Sequence, residues 1–325
     1  MQKMSTDLTR QALNGPTLGT RWSALFYSPA EFCPEEMRQA MQQAVGEVDQ
    51  QMSTWKTDSN LMEFNRAPAD IWLQLPDHLI RVLGTGLEIG RLSDGAFDIG
   101  MGDAVMAWGF GADEANPDRI RDALQATRKP THDLLEIDPA NNRARKHGPV
   151  SLDLSGIAKG YGVDRLAETA RNHGFDNALL SIDGELRALG LGPDEAPWSV
   201  AVEKPDYETR EPYAMLELEE GAVATSGDYR HWVNVGAQKL SHTMDPRRGG
   251  PLTDAPASVT VIAQTCMEAD AFATALMVMG AGEGKALATR LGLNALFLIR
   301  DGDDFREETV GPIFEEPADA SAAQL

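Results

Sequence analysis

Polar and apolar residues alternate along TRWSALFY (20–27), and this period of two predicts a strand. Over about 35–51, EEMRQAMQQAVGEVDQQ returns its apolar residues at helical spacing. Pro34 suits the first turn of that helix, because proline lacks the N–H that the turn leaves unpaired anyway. A polar loop, MSTWKTDSNLMEFN (52–65), precedes a second predicted helix at 77–93, which Gly95 stops. After DGAFDIG a short helical stretch runs to Trp108, and a variable region rich in Pro and Asn follows to about 148. From 150 the pattern becomes strand, turn and helix: VSLDL, then SGIAKGYGVDRLAETARNHG, then the apolar strand NALLSI. Short strands are predicted near 198–203, 214–219, 222–225, 231–235 and 257–263. A helix at 268–279 precedes a last helix and the strand NALFLI.

Strands and helices mix without strict βαβ alternation, which predicts an α+β fold. The 112–148 region is the nearest thing to a boundary, yet nothing in it splits the core. Residues 1–16 therefore read as an N-terminal extension, 17–312 as a single domain, and 313–325 as a loose polar tail. No internal repeat is apparent.

At 325 residues, 42% hydrophobic and 24% charged, the chain has the composition of an ordinary soluble globular protein with ample core. Its net charge of -21 argues against a nucleic-acid or anionic-membrane partner, since either surface repels it. An anionic small molecule stays possible, held by a local cation or helix N-terminus. Cys33 and Cys266 are the only cysteines, so neither a disulfide framework nor a Cys-rich metal site is available. No apolar run is long enough to span a bilayer. The first residues, MQKMSTDLTRQALNGP, lack the apolar centre of a secretory signal; the chain is either cytoplasmic or a mature form with its signal removed.

Candidate chemistry begins with DLSGIAK (153–159). Ser155 is a plausible N-cap, Gly156 allows close backbone approach, and Lys159 then falls in a first helical turn, where the dipole disfavours a cation by about 0.3–1 kcal/mol. Either Lys159 is solvated with Asp153 as its partner, or Lys159 and the free N–H groups hold phosphate. Asp270 and Thr274, at i and i+4, share one helical face and offer oxygen ligands suited to Mg²⁺. They serve equally as a dipole-stabilising Asp and a Thr bonded back to a carbonyl. In the loop SHTMDPRRGGP (241–251), His242 and Asp245 offer a base, an orienter or a ligand, though Asp-Pro with following glycines is a turn in its own right. In GAFD (95–98), Phe97 and Asp98 fit either a flat ring with a polar edge or a core Phe beside a capping Asp. TSGDY (225–229) is a weak turn motif containing Ser226.

In order along the chain, TLGTRW (17–22), MSTW with DSNLMEFN (52–65), DGAFDIG with AWGFG (94–111), LDLSGIAKGYGVD (152–164), ATSGDY (224–229), SHTMDP (241–246) and EADAFATAL (268–276) resemble the ApbE family, the FAD:protein FMN transferases. The resemblance implies an α+β fold with FAD in a groove and Mg²⁺ against its pyrophosphate. Carried over by motif, FAD contacts fall on Leu18, Trp55, Ala96, Phe97, Asp98, Asp153, Lys159 and Met244, and the metal ligands on Asp270, Thr274 and the backbone oxygen of Gly156. The implied reaction is phosphoryl transfer: a Thr or Ser hydroxyl of an acceptor flavoprotein, a subunit of a redox system, attacks the FMN phosphorus and expels AMP. Lys159 offsets pyrophosphate charge, and His242, or an Asp at the metal, handles the hydroxyl proton. An FAD pyrophosphatase uses the same contacts with water as nucleophile, and a non-catalytic flavin-binding protein leaves Asp270 and Thr274 without a task. The chain departs from the family pattern at Leu18 (usually Met), at Gly100 and Asp103 (often Thr and Pro), at Met244 (usually Ile) and at Arg248 (usually Thr). None of these removes a ligand.

Overall fold

The computed structural model describes residues 8–192, 195–230, 232–235, 238–253, 255–302 and 304–314. Eight helices are described: α1 (Pro34–Met52), α2 (Asn60–Arg66), α3 (Asp77–Leu92), α4 (Gly102–Ala107), α5 (Pro117–Gln125), α6 (Thr131–Leu134), α7 (Ala158–Asn172) and α8 (Cys266–Leu291). An eight-stranded antiparallel sheet runs in the order Thr9–Thr17, Thr20–Ser28, Ala178–Ile182, Glu185–Leu189, Gly221–Gly227, Ser258–Ala263, Asn294–Asp301 and Asp304–Val310. Helices and an antiparallel sheet in one core make the fold α+β, as the pattern predicts.

Alternation along the strands divides the two faces. Ala178, Leu180 and Ile182 point with Trp22 and Phe26 toward Met37, Met41 and Val45 of α1 and Leu166 of α7. From the neighbouring positions Leu179 and Leu186 pack with Val223, Ile262 and Leu298 beneath the hairpin Trp198–Glu203/Pro212–Leu218. The sheet is thus sandwiched, with helices on one side and a hairpin on the other. A larger apolar cluster ties α1, α2 and α3 to α7, α8 and the strands Ser258–Ala263 and Asn294–Asp301.

Most predicted elements fall within a residue or two of the observed ones, but VSLDL forms only an isolated bridge from Ser151 to Met101, and the segment read as a loop over 52–65 holds α2. The N-terminal segment differs in kind: Thr9–Thr17 pairs along its whole length with Thr20–Ser28, so the sheet's edge lies in residues read as an extension. The helix expected at 268–279 and its successor are the two halves of α8, separated at Gly280, whose φ of 71° breaks the helical path. Thr225 and Ser226 lie in a strand rather than a turn, Ser226 opposite Val259. Ser155 does not cap α7: the helix begins at Ala158 after Ile157, and the Ser155 amide instead donates to Asp153 Oδ1 at 2.9 Å. The 112–148 region folds into α5, α6 and a small sheet with Leu73–Gln74, attached to the same core through Leu135 and Ala144. Of the predicted polar tail, residues 315–325 lie outside the described residues. Among the described residues no helix is long and apolar enough to cross a membrane.

Candidate functional site

Two helices approach closely because one of them carries glycine at the crossing. A Cβ on Gly160 would stand 2.3 Å from the Cys266 carbonyl oxygen, so the first turn of α7 can lie against the start of α8 only with glycine there. Contact lets the Gly160 amide donate to Asp270 Oδ2 at 2.9 Å. One turn further along α8, Thr274 Oγ1 lies 3.1 Å from Ser226 Oγ and 3.1 Å from where a Gly156 Cβ would be. The i, i+4 face of Asp270 and Thr274 therefore looks at the chain entering α7, with Gly156 beside Thr274 and Gly160 beside Asp270.

Lys159, between those glycines, is not the lone first-turn cation that spacing suggested. Its ammonium donates to Glu185 Oε1 at 2.6 Å and lies 3.8 Å from Asp183, not against Asp153. Burial pulls the Lys159 pKa down, but the facing Glu185, Asp270 and Asp183 outweigh it and hold the ammonium above its usual value. The conflict with the helix dipole is thus already met inside the protein by Glu185. The Asp270 carboxyl, 5% exposed, is pushed well above the carboxylate range by burial and by Glu185, with Lys159 opposing. Glu185 is 3% exposed, and its Oε2 finds no hydrogen-bond partner. Three carboxylates face one ammonium, and one of their oxygens is stranded away from water. Such a site lacks positive charge, and the Asp270 carboxylate and Thr274 hydroxyl are hard oxygens of the kind that Mg²⁺ takes. Among the described residues no group of three or more His, Cys, Asp or Glu side chains gathers with metal-site spacing.

The remaining candidates spread around this centre. Leu18, in a left-handed turn at φ 45°, sends Cδ1 to within 3.9 Å of the Gly162 Cβ position on α7. Asp153 is half-buried; its amide donates to the Ile99 carbonyl, and burial raises its pKa although the Ser155 amide binds it. Ala96 and Phe97 are buried, the Phe97 ring 3.3 Å from the Gly156 Cβ position, and Phe97 is therefore a wall of the core rather than an open stacking surface. Asp98 spends both oxygens locally, accepting from the Gly100 amide at 2.7 Å and the Thr131 amide at 3.0 Å. Trp55 is 65% exposed on the loop between α1 and α2. Met244 is buried with Met101, Ala107 and Trp108, and His242 two residues earlier meets the Phe110 ring edge-on at 6.3 Å. Sequence reasoning missed Asp183 and Glu185. The signal was IDGE (182–185), two acids in a turn between apolar strands, with Asp183 itself at φ 57°.

Comparison with known proteins finds relatives over most of the chain. The model of the ApbE family matches residues 18–297. The FAD:protein FMN transferase of Vibrio cholerae is 34% identical over 298 residues, covering 91% of this chain and 89% of its own, and that of Escherichia coli K12 is 34% identical over 93% and 87%. Among solved structures, the flavin transferase ApbE from Vibrio cholerae superposes with a TM-score of 0.82 at 31% identity, covering 93% of this chain and 97% of that one. The apo flavinyl transferase ApbE of Pseudomonas stutzeri gives 0.81 at 33% identity, covering 94% and 96%. The family match spans both crossing helices and every candidate position, so the chain belongs to the ApbE family.

Proposed function

We propose that this chain is a Mg²⁺-dependent FAD:protein FMN transferase, moving FMN from FAD to a Thr or Ser hydroxyl of an acceptor flavoprotein with release of AMP. The observation that carries the reading is the meeting of the Asp270–Thr274 face with Gly156, beside a carboxylate cluster short of positive charge. Asp270, Thr274 and the Gly156 carbonyl would hold Mg²⁺, which would supply charge to offset the pyrophosphate.

The protein's own groups do the rest. Lys159 reaches the phosphate from the Glu185 pair, which fixes its ammonium and keeps it charged. Asp153 and Asp98 border the loops that receive the flavin and adenine halves. Leu18, Trp55, Ala96, Phe97 and Met244 supply apolar and aromatic walls; of these only Trp55 offers a wholly open ring. His242 accepts the acceptor hydroxyl's proton, acting as general base. Residues 17–312 act as one catalytic unit.

Incubation with FAD, Mg²⁺ and a Thr-containing acceptor peptide, read by mass spectrometry, tests the proposal. The expected result is an acceptor heavier by FMN, abolished by EDTA. FAD cleaved to FMN and AMP with the acceptor unchanged would make the chain a pyrophosphatase, and FAD bound but never consumed would make it a flavin carrier.

A further inference from the structure

The DSNLMEFN stretch ends in Asn65, on the last turn of α2, and its side chain pairs at two points with the backbone of Leu152. Oδ1 accepts from the Leu152 amide at 2.8 Å, and Nδ2 donates to the Leu152 carbonyl at 2.9 Å. This two-point pairing copies one rung of an antiparallel ladder with a side-chain amide in place of a strand. Leu152 is fully buried, so water cannot replace either bond, and loss of one partner strands a polar group.

α2 is itself fastened at both ends. At its start the buried Ser59 hydroxyl accepts from the Met62 amide at 3.1 Å and donates to the Ser53 carbonyl at 2.6 Å, which closes the loop that bears Trp55. At its end the Lys146 ammonium, 4% exposed and over the Phe64 ring, donates to the Asn65 carbonyl at 2.8 Å. The segment that Asn65 grips is held from its other side by backbone alone: the Gly102 amide donates to the Ser151 carbonyl and the Asp153 amide to the Ile99 carbonyl. Residues 151–153 therefore run between two rails, one of backbone and one of side chain.

We infer that Asn65 is a positioning residue, which through α2 and Lys146 sets the Leu152–Gly156 segment, with Asp153 and the Gly156 carbonyl, at a fixed spacing from the Trp55 loop. The inference rests on the transferase reading of the site. A backbone carbonyl has no rotamer with which to correct its aim, so a ligand of that kind depends wholly on where the chain is held.

FAD binding, followed by fluorescence as Mg²⁺ is titrated and again in EDTA, provides the test, with the thermal midpoint recorded alongside. Asn65→Ala removes both bonds. Asn65→Asp keeps the acceptor for the Leu152 amide but sets a carboxylate against the Leu152 carbonyl. Leu79→Ala, in the core of α3 and away from the site, serves as a control for instability alone. Both Asn65 variants should raise the Mg²⁺ concentration for half-maximal FAD binding by about tenfold or more, the scale found when groups that hold metal ligands are removed. Leu79→Ala should lower the midpoint and leave that concentration unchanged. Lys146→Met, which keeps the fold's apolar volume, should shift it in the same direction but less, and covers the case in which the Asn65 variants do not fold. A wild-type Mg²⁺ dependence in folded Asn65 variants, or in Lys146→Met if they do not fold, overturns the inference. A wild type whose FAD binding ignores Mg²⁺ overturns the transferase reading instead.

Discussion

The Lys159 ammonium sits 2.6 Å from Glu185 Oε1, and the carboxylate beneath it is almost wholly buried. Removing the lysine therefore does two things at once: it takes away a phosphate contact and leaves Glu185 without its counter-ion. Lys159→Met should destabilise the ligand-free protein by roughly 3 kcal/mol, the low end for breaking a buried pair because the lysine keeps some exposure. Lys159→Met combined with Glu185→Gln should recover most of that stability while FAD affinity stays low. Urea unfolding and FAD titration of both variants check this, and a double variant that regains FAD affinity would exclude Lys159 from phosphate binding.

Asp270→Asn should have opposite effects on stability and on transfer. The carboxylate is 5% exposed and faces Glu185, so the ligand-free protein bears its charge at a cost. Asn keeps an oxygen for the Gly160 amide and removes the charge. In EDTA the variant should melt at or above the wild-type temperature, and with Mg²⁺ it should transfer no FMN. Loss of stability in EDTA would show that Asp270 is chiefly structural.

Two glycines four residues apart should respond differently to alanine. At Gly160 the added Cβ meets the Cys266 carbonyl at 2.3 Å, a backbone atom that cannot step aside, and Gly160→Ala should cost about 1–3 kcal/mol or more. At Gly156 it meets Thr274 Oγ1 at 3.1 Å and the Phe97 ring at 3.3 Å, contacts that small side-chain shifts relieve. Gly156→Ala should fold yet need more Mg²⁺, because Thr274 is the atom displaced. Thermal melts and Mg²⁺ titration of transfer separate the two outcomes.

Trp55 is 65% exposed, whereas Trp22, Trp108 and Trp198 are buried. FAD should quench the exposed emission first. Trp55→Ala should weaken FAD binding by about two- to tenfold, the equivalent of a single aromatic contact worth roughly 0.5–1.5 kcal/mol. Unchanged affinity would place the flavin elsewhere.

His78 gives the fold an acid-sensitive point. Its Nδ1 pairs with the Tyr161 hydroxyl at 2.6 Å, and its pKa is lowered by burial and by Arg165 and Arg81, with Glu47 and Glu168 opposing. A histidine whose folded pKa lies below its unfolded 6.5 adds stability that is present above that value and is lost as pH falls through the folded pKa. Stability should decline below pH 6.5, and His78→Gln should flatten the decline. Parallel pH curves for the two proteins would refute the assignment.

The elements themselves were legible along the chain because each is a local affair. Alternation in TRWSALFY, the apolar stripe after Pro34 and the helical run at 268–279 each predict themselves. The pairing of Asp270 with Thr274 was equally readable, since i and i+4 fix a shared face whatever the helix packs against. What the sequence could not decide is what that face meets. Gly156, Gly160 and Ser226 come to Asp270 and Thr274 only through the crossing of α7 and α8 and the strand beside it. Glu185 reaches Lys159 across 26 residues of chain, and Asn65 reaches Leu152 across 87. Spacing has nothing to say about such contacts. Whether Lys159 is a free cation or half of a buried pair is an electrostatic question about neighbours, and only the tertiary structure, by burying Glu185 beneath it, decides.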